Sequence, residues 1–179
     1  MRLVLLPVLL LAGACAQLQT QAPLDVQFDL SGRLAVRYGN EALSGNLAWR
    51  HAGSSDEMLI TNSLGAGVAR LVREPGGAVV LTTAEPKEYR GDNAEALTEE
   101  VLGFRLPVSG LGDWVRGRPS QDAPARIGKD EEGRLRWLEQ SGWRVEFLEY
   151  REGLPYRLQL TYPGIDLRLA ISQWRPAGQ

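Results

Sequence analysis

The clearest chemistry in this sequence belongs to Cys15, the only cysteine in the chain. It follows a basic residue, Arg2, an apolar run over residues 3–11 and three small residues at 12–14. This order is typical of an export signal that is removed from the mature protein. A cysteine directly after the cleavage point can carry acyl chains on its sulfur and on its new amino terminus. We therefore expect residues 1–14 to be a lipoprotein signal peptide and Cys15 to be the site of lipid attachment.

The apolar run is too short to cross a bilayer, because a spanning helix needs about 20 residues. Two or more acyl chains on one residue would anchor the mature chain without any spanning segment. The alternative is an ordinary secretory signal with a cysteine nearby by chance. Residues 15–24 are polar, rich in glutamine and contain a proline, which is typical of a tether. The remaining residues, 25–179, have the length of one domain.

Motifs for other chemistry are absent from the sequence. It contains no Gly-x-Ser-x-Gly, His-Glu-x-x-His or cysteine–histidine pattern, so we expect no catalytic residue, metal ion or cofactor. His51, the one histidine, is most simply a surface residue at a turn. Twenty Lys and Arg residues are evenly mixed with 22 Asp and Glu residues, which argues against nucleic acid as a partner. A binding protein is therefore favoured over an enzyme.

Apolar and polar residues alternate along most of the domain, as in β-strands with one face buried. Near its start, Phe28, Leu30, Leu34 and Val36 fall on one face. Such one-sided alternation indicates an antiparallel sheet with one dry and one wet face. The pattern recurs in several later runs, which are Leu43-Leu47-Trp49, Leu135-Trp137, Trp143-Val145-Phe147, Tyr156-Leu158-Leu160-Tyr162 and Ile165-Leu167-Leu169-Ile171.

Two stretches in the middle of the chain have a helical pattern instead. Asp92 with Glu95 three residues later forms a capping-box arrangement, and Gly103 provides a C-terminal stop. A second short helix is predicted between Pro107 and Gly117. Because both helices are amphipathic, each needs an apolar surface to cover. The sequence therefore predicts a curved sheet with two short helices as a lid.

These segments, in this order, resemble the outer-membrane lipoprotein receptor LolB family. The likeness runs from about residue 28 to residue 174 and joins a cysteine suited to lipidation. The segments that carry it are Cys15, Phe28-Asp29-Leu30-Ser31-Gly32-Arg33-Leu34-Ala35-Val36, Gly45-Asn46-Leu47-Ala48-Trp49, Leu59-Ile60-Thr61-Asn62-Ser63-Leu64-Gly65, Leu106-Pro107-Val108, Leu111-Gly112-Asp113-Trp114-Val115-Arg116-Gly117, Gly142-Trp143 and Trp174.

The resemblance implies a mainly β fold: an incomplete, half-open antiparallel β-barrel with short helices forming a lid over an apolar cavity. It implies a protein anchored by lipid to the periplasmic face of the outer membrane. Such a protein accepts acylated lipoproteins from the periplasmic chaperone LolA and inserts them into that membrane. We expect a monomer. The stretch between Cys15 and the first strand is too short for the extra N-terminal helix that some members carry.

The resemblance also singles out residues. The leucine that matches Leu64 protrudes in the family and promotes membrane insertion, and the turn formers around Leu64 place it at a loop tip. The alternative is a leucine folded back as a loop anchor. Acyl chains need an apolar concavity, and a packed core is the alternative for every residue assigned to it. The residues predicted to line an acyl-binding cavity are Leu34, Leu47, Trp49, Ile60, Leu97, Trp114 and Trp143.

Two other functions remain open at this stage. The chain could be a structural or assembly lipoprotein of the cell envelope whose β core is solid. It could also be a lipid hydrolase that uses an Asp/Ser arrangement without a recognisable motif. A carrier needs room for acyl chains inside its fold, whereas a structural lipoprotein with a solid core has none.

Overall fold

The computed structural model of the chain describes residues 26–175. The predicted signal peptide, the lipid-attachment residue Cys15 and the tether lie outside the described residues. The described elements, in chain order, are β1 (Val26–Tyr38), β2 (Glu41–Ala52), β3 (Ser55–Thr61), β4 (Gly67–Arg73), β5 (Val79–Thr83), β6 (Glu88–Gly91), α1 (Ala94–Leu102), α2 (Val108–Trp114), β7 (Ala125–Lys129), β8 (Leu135–Gln140), β9 (Trp143–Arg151), β10 (Leu154–Tyr162) and β11 (Ile165–Arg175).

All eleven described strands form one antiparallel sheet in the order β6-β5-β4-β3-β2-β1-β11-β10-β9-β8-β7. The first and last strands, β1 and β11, pair at its centre. The outermost strands, β6 and β7, do not pair with each other, so the sheet is not closed into a barrel. Both helices lie in the chain segment that runs from one of these edges to the other. The predicted half-open antiparallel architecture with two short helices is confirmed.

The core lies between one face of the sheet and the two helices. On β1, the alternating residues Phe28, Leu30, Leu34 and Val36 are all buried, as their spacing predicts. Burying such side chains stabilises the fold by about 1.5–3 kcal/mol each. The helices add their own apolar residues to the same cluster, namely Ala94, Leu97, Val108, Leu111 and Trp114.

The ends of α1 differ in part from the prediction. The N-cap is Asn93, whose side chain accepts a hydrogen bond from the backbone N–H of Ala96 at 2.8 Å, so the prediction of Asp92 as the cap is wrong. Glu95 does not complete a capping box. Its carboxylate accepts from the backbone N–H of Ser109 at 2.8 Å and so satisfies a free donor in the first turn of α2. Gly103 ends α1 in the left-handed conformation, as predicted.

A glycine allows the central strands to approach closely. The register of β1 against β11 shifts between Ser31 and Gly32, which is a β-bulge. A Cβ atom at Gly32 would lie 2.4 Å from the carbonyl oxygen of Ala170 on β11. Because a bulge bends and twists its strand, this point adds to the curvature of the sheet.

A buried cluster of polar side chains joins β2, β3 and β4. One carboxylate oxygen of Asp56 accepts from the Trp49 indole N–H at 2.9 Å and lies 2.7 Å from Nδ1 of His51. The other accepts from Nε of Arg73 at 2.8 Å. Asp56 is 2% exposed and His51 is 7% exposed. The prediction of a surface His51 is wrong, because its ring bonds to Asp56 and stacks on Phe28 with centroids 4.9 Å apart.

The environment of Asp56 favours its charged form. Burial by itself raises the pKa of the carboxyl group, but the hydrogen bond with His51, the charge of Arg73 and the hydrogen bond from Trp49 lower it. The net result is a pKa below the ordinary value of 3.8. A carboxyl group whose pKa is lowered on folding stabilises the protein above its unfolded pKa. This contribution is lost as the pH falls through the lower, folded value.

We expect Asp56→Asn to lower the free energy of unfolding at neutral pH by about 3 kcal/mol, because it leaves Arg73 without its counter-charge. Urea unfolding of both proteins at pH 7 measures the difference. As the pH falls from the ordinary pKa of 3.8 through the lower, folded value, the wild-type carboxyl group is protonated and the difference should shrink. Asp92→Asn, at an exposed position, is the matched control. Equal stability of Asp56→Asn and wild type at pH 7 would contradict this account.

Candidate functional site

The most exposed large apolar side chain in the described part of the chain is that of Leu64, at 92%. It lies in the loop between β3 and β4. The Asn62 side chain accepts from the backbone N–H groups of Leu64 and Ala66, both at 3.0 Å. The Asn62 N–H donates to the Ala66 carbonyl at 2.9 Å, and Gly65 has a φ of +86°. The loop is therefore ordered by its own hydrogen bonds.

This geometry settles the position of Leu64 but not its role. The predicted loop-tip position is confirmed, and the alternative of a leucine folded back as an anchor is wrong for this structure. At the other end of the same hairpin, Asp56 pairs in register with Arg73 and binds it through an ion pair whose carboxylate is buried. The exposed leucine is thus carried on a hairpin that is fixed at its base. Its role in membrane insertion stays a prediction.

The seven residues predicted to line an acyl cavity all lie in the buried cluster. Each is between 1% and 6% exposed. Side chains that lined a void wide enough for an acyl chain would retain more accessible surface than this. In this conformation these residues therefore contact other protein atoms, and their role as acyl contacts stays a prediction. The set is Leu34, Leu47, Trp49, Ile60, Leu97, Trp114 and Trp143.

A buried hydrogen bond fastens the second helix to the sheet. The indole N–H of Trp114 on α2 donates to the side-chain oxygen of Gln140 on β8 at 2.8 Å. The Gln140 amide in turn donates to the carbonyl oxygens of Ser120 and Ala123, at 2.8 and 2.6 Å. The first helix lies against β5 and β6. The first helix therefore lies beside the free edge at β6, and a buried hydrogen bond joins the second helix to β8.

The outer face of the sheet carries a groove of about 660 Å³ that the sequence did not reveal. Arg33 and Ala35 line it from β1, Arg168 from β11 and Leu148 from β9. These residues alternate along their strands with buried ones, so they face away from the core. Asn62 and Ser63, directly before Leu64, also line the groove. Only the sheet order brings these distant residues together.

Other types of site can be assessed within residues 26–175. In that range, no group of three or more His, Cys, Asp or Glu side chains is arranged to hold a metal ion. None of the helices described there has the length and apolar character needed to cross a bilayer.

The comparisons with known proteins agree with this architecture. Residues 26–174 match the family model for outer membrane lipoprotein LolB. The chain is 35% identical over 172 residues to the outer-membrane lipoprotein LolB of Thiobacillus denitrificans, covering 92% of each protein. It is 40% identical over 154 residues to that of Nitrosomonas europaea, covering 83% of this chain and 72% of the relative.

A solved structure with low sequence identity shares the fold. A DUF1329-family protein from Desulfovibrio piger superposes with a TM-score of 0.53 at 8% identity, covering 85% of each chain. The family assignment depends on the sequence matches, which span nearly all of the described residues. This chain belongs to the LolB family of outer-membrane lipoproteins.

Proposed function

We propose that this protein is an outer-membrane receptor that accepts lipoproteins from the periplasmic chaperone LolA and inserts them into the outer membrane. Membership of the LolB family supports the pathway. The observation that carries the insertion step is Leu64, almost fully exposed on an ordered loop tip. Acyl chains on Cys15 would hold the protein on the periplasmic face of that membrane.

The Leu64 loop has the properties of a membrane-contacting tip. Moving one leucine side chain from water into hydrocarbon is worth about 1.5–3 kcal/mol. Residues 62–67 contain no charged side chain, so insertion of the tip would not require the desolvation of a charge. A protruding apolar residue on a fixed hairpin would disturb the lipid packing locally and help an acyl chain to enter.

Cargo acyl chains would bind in the apolar interior after the helices move away from the sheet. The interior offers a continuous apolar surface, but the helices fill it in this conformation. An acyl chain could replace the helix side chains, because both bury the same face of the sheet. Handover from chaperone to receptor to bilayer then needs only successively tighter binding, in which each tenfold step is worth about 1.4 kcal/mol.

The filled interior also favours a second candidate function. A structural lipoprotein of the envelope would keep its helices on the sheet permanently and would bind no acyl chain. Saturable binding of a fluorescent fatty acyl probe distinguishes the two functions. A carrier binds the probe at a limited number of sites, whereas a solid core does not.

We expect Leu64→Glu to separate uptake from insertion. The lipidated variant should still take lipoprotein from the chaperone, because the interior is unchanged. Deposition in liposomes should fall by about tenfold or more, because the variant loses the apolar contact and must desolvate a carboxylate. The measurement is the fraction of cargo that floats with the liposomes.

The matched control is Ile127→Glu, which removes an exposed apolar side chain from the edge strand β7. It should deposit cargo at the wild-type rate. Deposition by Leu64→Glu at that same rate would remove the proposed role of Leu64.

We expect Trp114→Phe to bind the acyl probe more tightly than wild type. The variant keeps an aromatic ring but loses the hydrogen bond to Gln140, which is worth about 1 kcal/mol. The probe competes with the helices for the apolar face of the sheet. A weaker attachment of α2 should therefore raise the apparent affinity for the probe by about fivefold. Probe titration by fluorescence measures this.

Trp137→Phe is the control, since this tryptophan lies on β8 beside Arg144 and not against the lid. Unchanged or weaker binding by Trp114→Phe, with Trp137→Phe behaving as wild type, would contradict opening of the lid by α2.

A further inference from the structure

The outer-face groove brings three arginines from three strands together. Arg33 lies on β1, Arg157 on β10 and Arg168 on β11, and all three line the groove. No aspartate or glutamate is among the described residues that line it. The whole chain has a net charge of −2, so this positive region differs from the protein as a whole.

The sheet register spaces these arginines around small residues. On β11, Ala170 pairs with Arg33 on one side and with Arg157 on the other. In the neighbouring row of the same face, Arg168 pairs with Ala35 of β1. Adjacent strands are about 4.8 Å apart, so Arg33 and Arg157 flank a gap of roughly 10 Å that an alanine leaves open. Two arginine side chains that start from strands at that spacing can both reach a phosphate placed above the alanine.

The arginines differ in how much of their charge is neutralised. Arg157 lies 3.3 Å from Glu149, and Arg168 lies 3.2 Å from Asp166. Arg33 makes no ion pair with any residue in the range 26–175. Arg157 and Arg168 are exposed, so their ion pairs are weak and can be exchanged for another anion. Guanidinium groups bind phosphate oxygens through paired, charge-assisted hydrogen bonds.

The groove also has an apolar part. Leu148 on β9 is 60% exposed and lines the groove together with Ala35 and Ala170. A free inorganic anion would make no use of these side chains. A ligand that joins a phosphate to a hydrocarbon group would contact both parts.

We propose that this groove binds the phosphate headgroup and the adjoining glycerol region of an anionic phospholipid in the target membrane. Asn62 and Ser63 line the groove and Leu64 follows them, so a loop that enters the bilayer places the groove at headgroup level. Lipid binding there orients the protein with Leu64 towards the hydrocarbon. The orientation of the protein on the membrane rests on the proposed function of Leu64, whereas the phosphate contacts rest on the groove alone.

The test measures the binding of arginine variants to vesicles. The chain from residue 15 onward, carrying Cys15→Ser to prevent acylation, retains every described strand and helix, since all lie within residues 26–175. Wild type should bind vesicles that contain phosphatidylglycerol more tightly than vesicles of phosphatidylcholine alone. Arg33→Gln should weaken binding to the first kind by about fivefold and leave binding to the second unchanged. The double variant Arg33→Gln, Arg168→Gln should lose the preference.

The matched control is Arg37→Gln, on the same strand and the same face as Arg33 but outside the groove. It should keep the preference for phosphatidylglycerol. Equal losses for Arg33→Gln and Arg37→Gln would overturn the proposal, because they would show attraction by overall charge and not a site. Ala170→Gln adds volume in the groove without a change in charge, and it should reduce the preference as well.

Competition identifies the source of the phosphate. Monomeric short-chain phosphatidylglycerol should displace wild type from vesicles and should fail to displace the double variant. Inorganic phosphate that displaces wild type equally well would overturn the assignment of a lipid.

The proposed function is tested separately, because Leu64→Glu should weaken binding to both kinds of vesicle. If Leu64→Glu binds normally while the double variant Arg33→Gln, Arg168→Gln loses the preference, the role of Leu64 is wrong and the lipid site stands.

Discussion

An open sheet with one apolar face cannot remain in water unless something covers that face, and the rest of this structure depends on how it is covered. The two edges, β6 and β7, do not pair, so the sheet does not enclose its own interior. The chain segment between these edges supplies α1 and α2, which bury their apolar residues on the sheet. Anything else that occupies the interior must compete with these helices for the same surface.

The helices form a lid in the sense that they cover the apolar face that a ligand would have to reach. The helices are short, and isolated helices of fewer than about 12 residues are marginal in water. Their stability therefore comes mainly from packing on the sheet, supported by the Trp114–Gln140 bond and by the Glu95 contact that joins them. The proposed function requires a ligand of similar apolar area to displace these helices from the sheet. The backbone hydrogen bonds of the eleven strands run from strand to strand, so the helices are not part of that ladder.

The two faces of the sheet differ in their chemistry. The inner face carries the apolar interior, and the outer face carries the arginine groove beside the Leu64 loop. The β3–β4 hairpin connects these regions, since its base holds the Asp56–Arg73 pair and its tip carries Leu64. Strand alternation makes such a division possible, because neighbouring residues such as Arg33 and Leu34 point to opposite faces.

Much of the fold was predictable from local patterns, because a period of two and turn residues act over a few positions. Phe28, Leu30, Leu34 and Val36 are buried as their spacing predicts, and Leu64 is exposed as its flanking turn formers predict. One prediction failed locally, because Asn93 and not its neighbour Asp92 caps α1. Two others failed because the partner of a polar group lies on another element: Glu95 bonds across to α2, and His51 is buried because Asp56 binds it.

The sequence by itself determined the antiparallel strands, the two short amphipathic helices, the exposed leucine and the likeness to the LolB family. The tertiary structure decided which strands became the free edges, that the helices fill the interior, and that Arg33, Arg157 and Arg168 lie side by side. The reason is that alternation and capping are local properties of a chain. The sharing of one face by β1, β10 and β11 follows from long-range pairing of the first strand with the last. No short-range pattern carries that information.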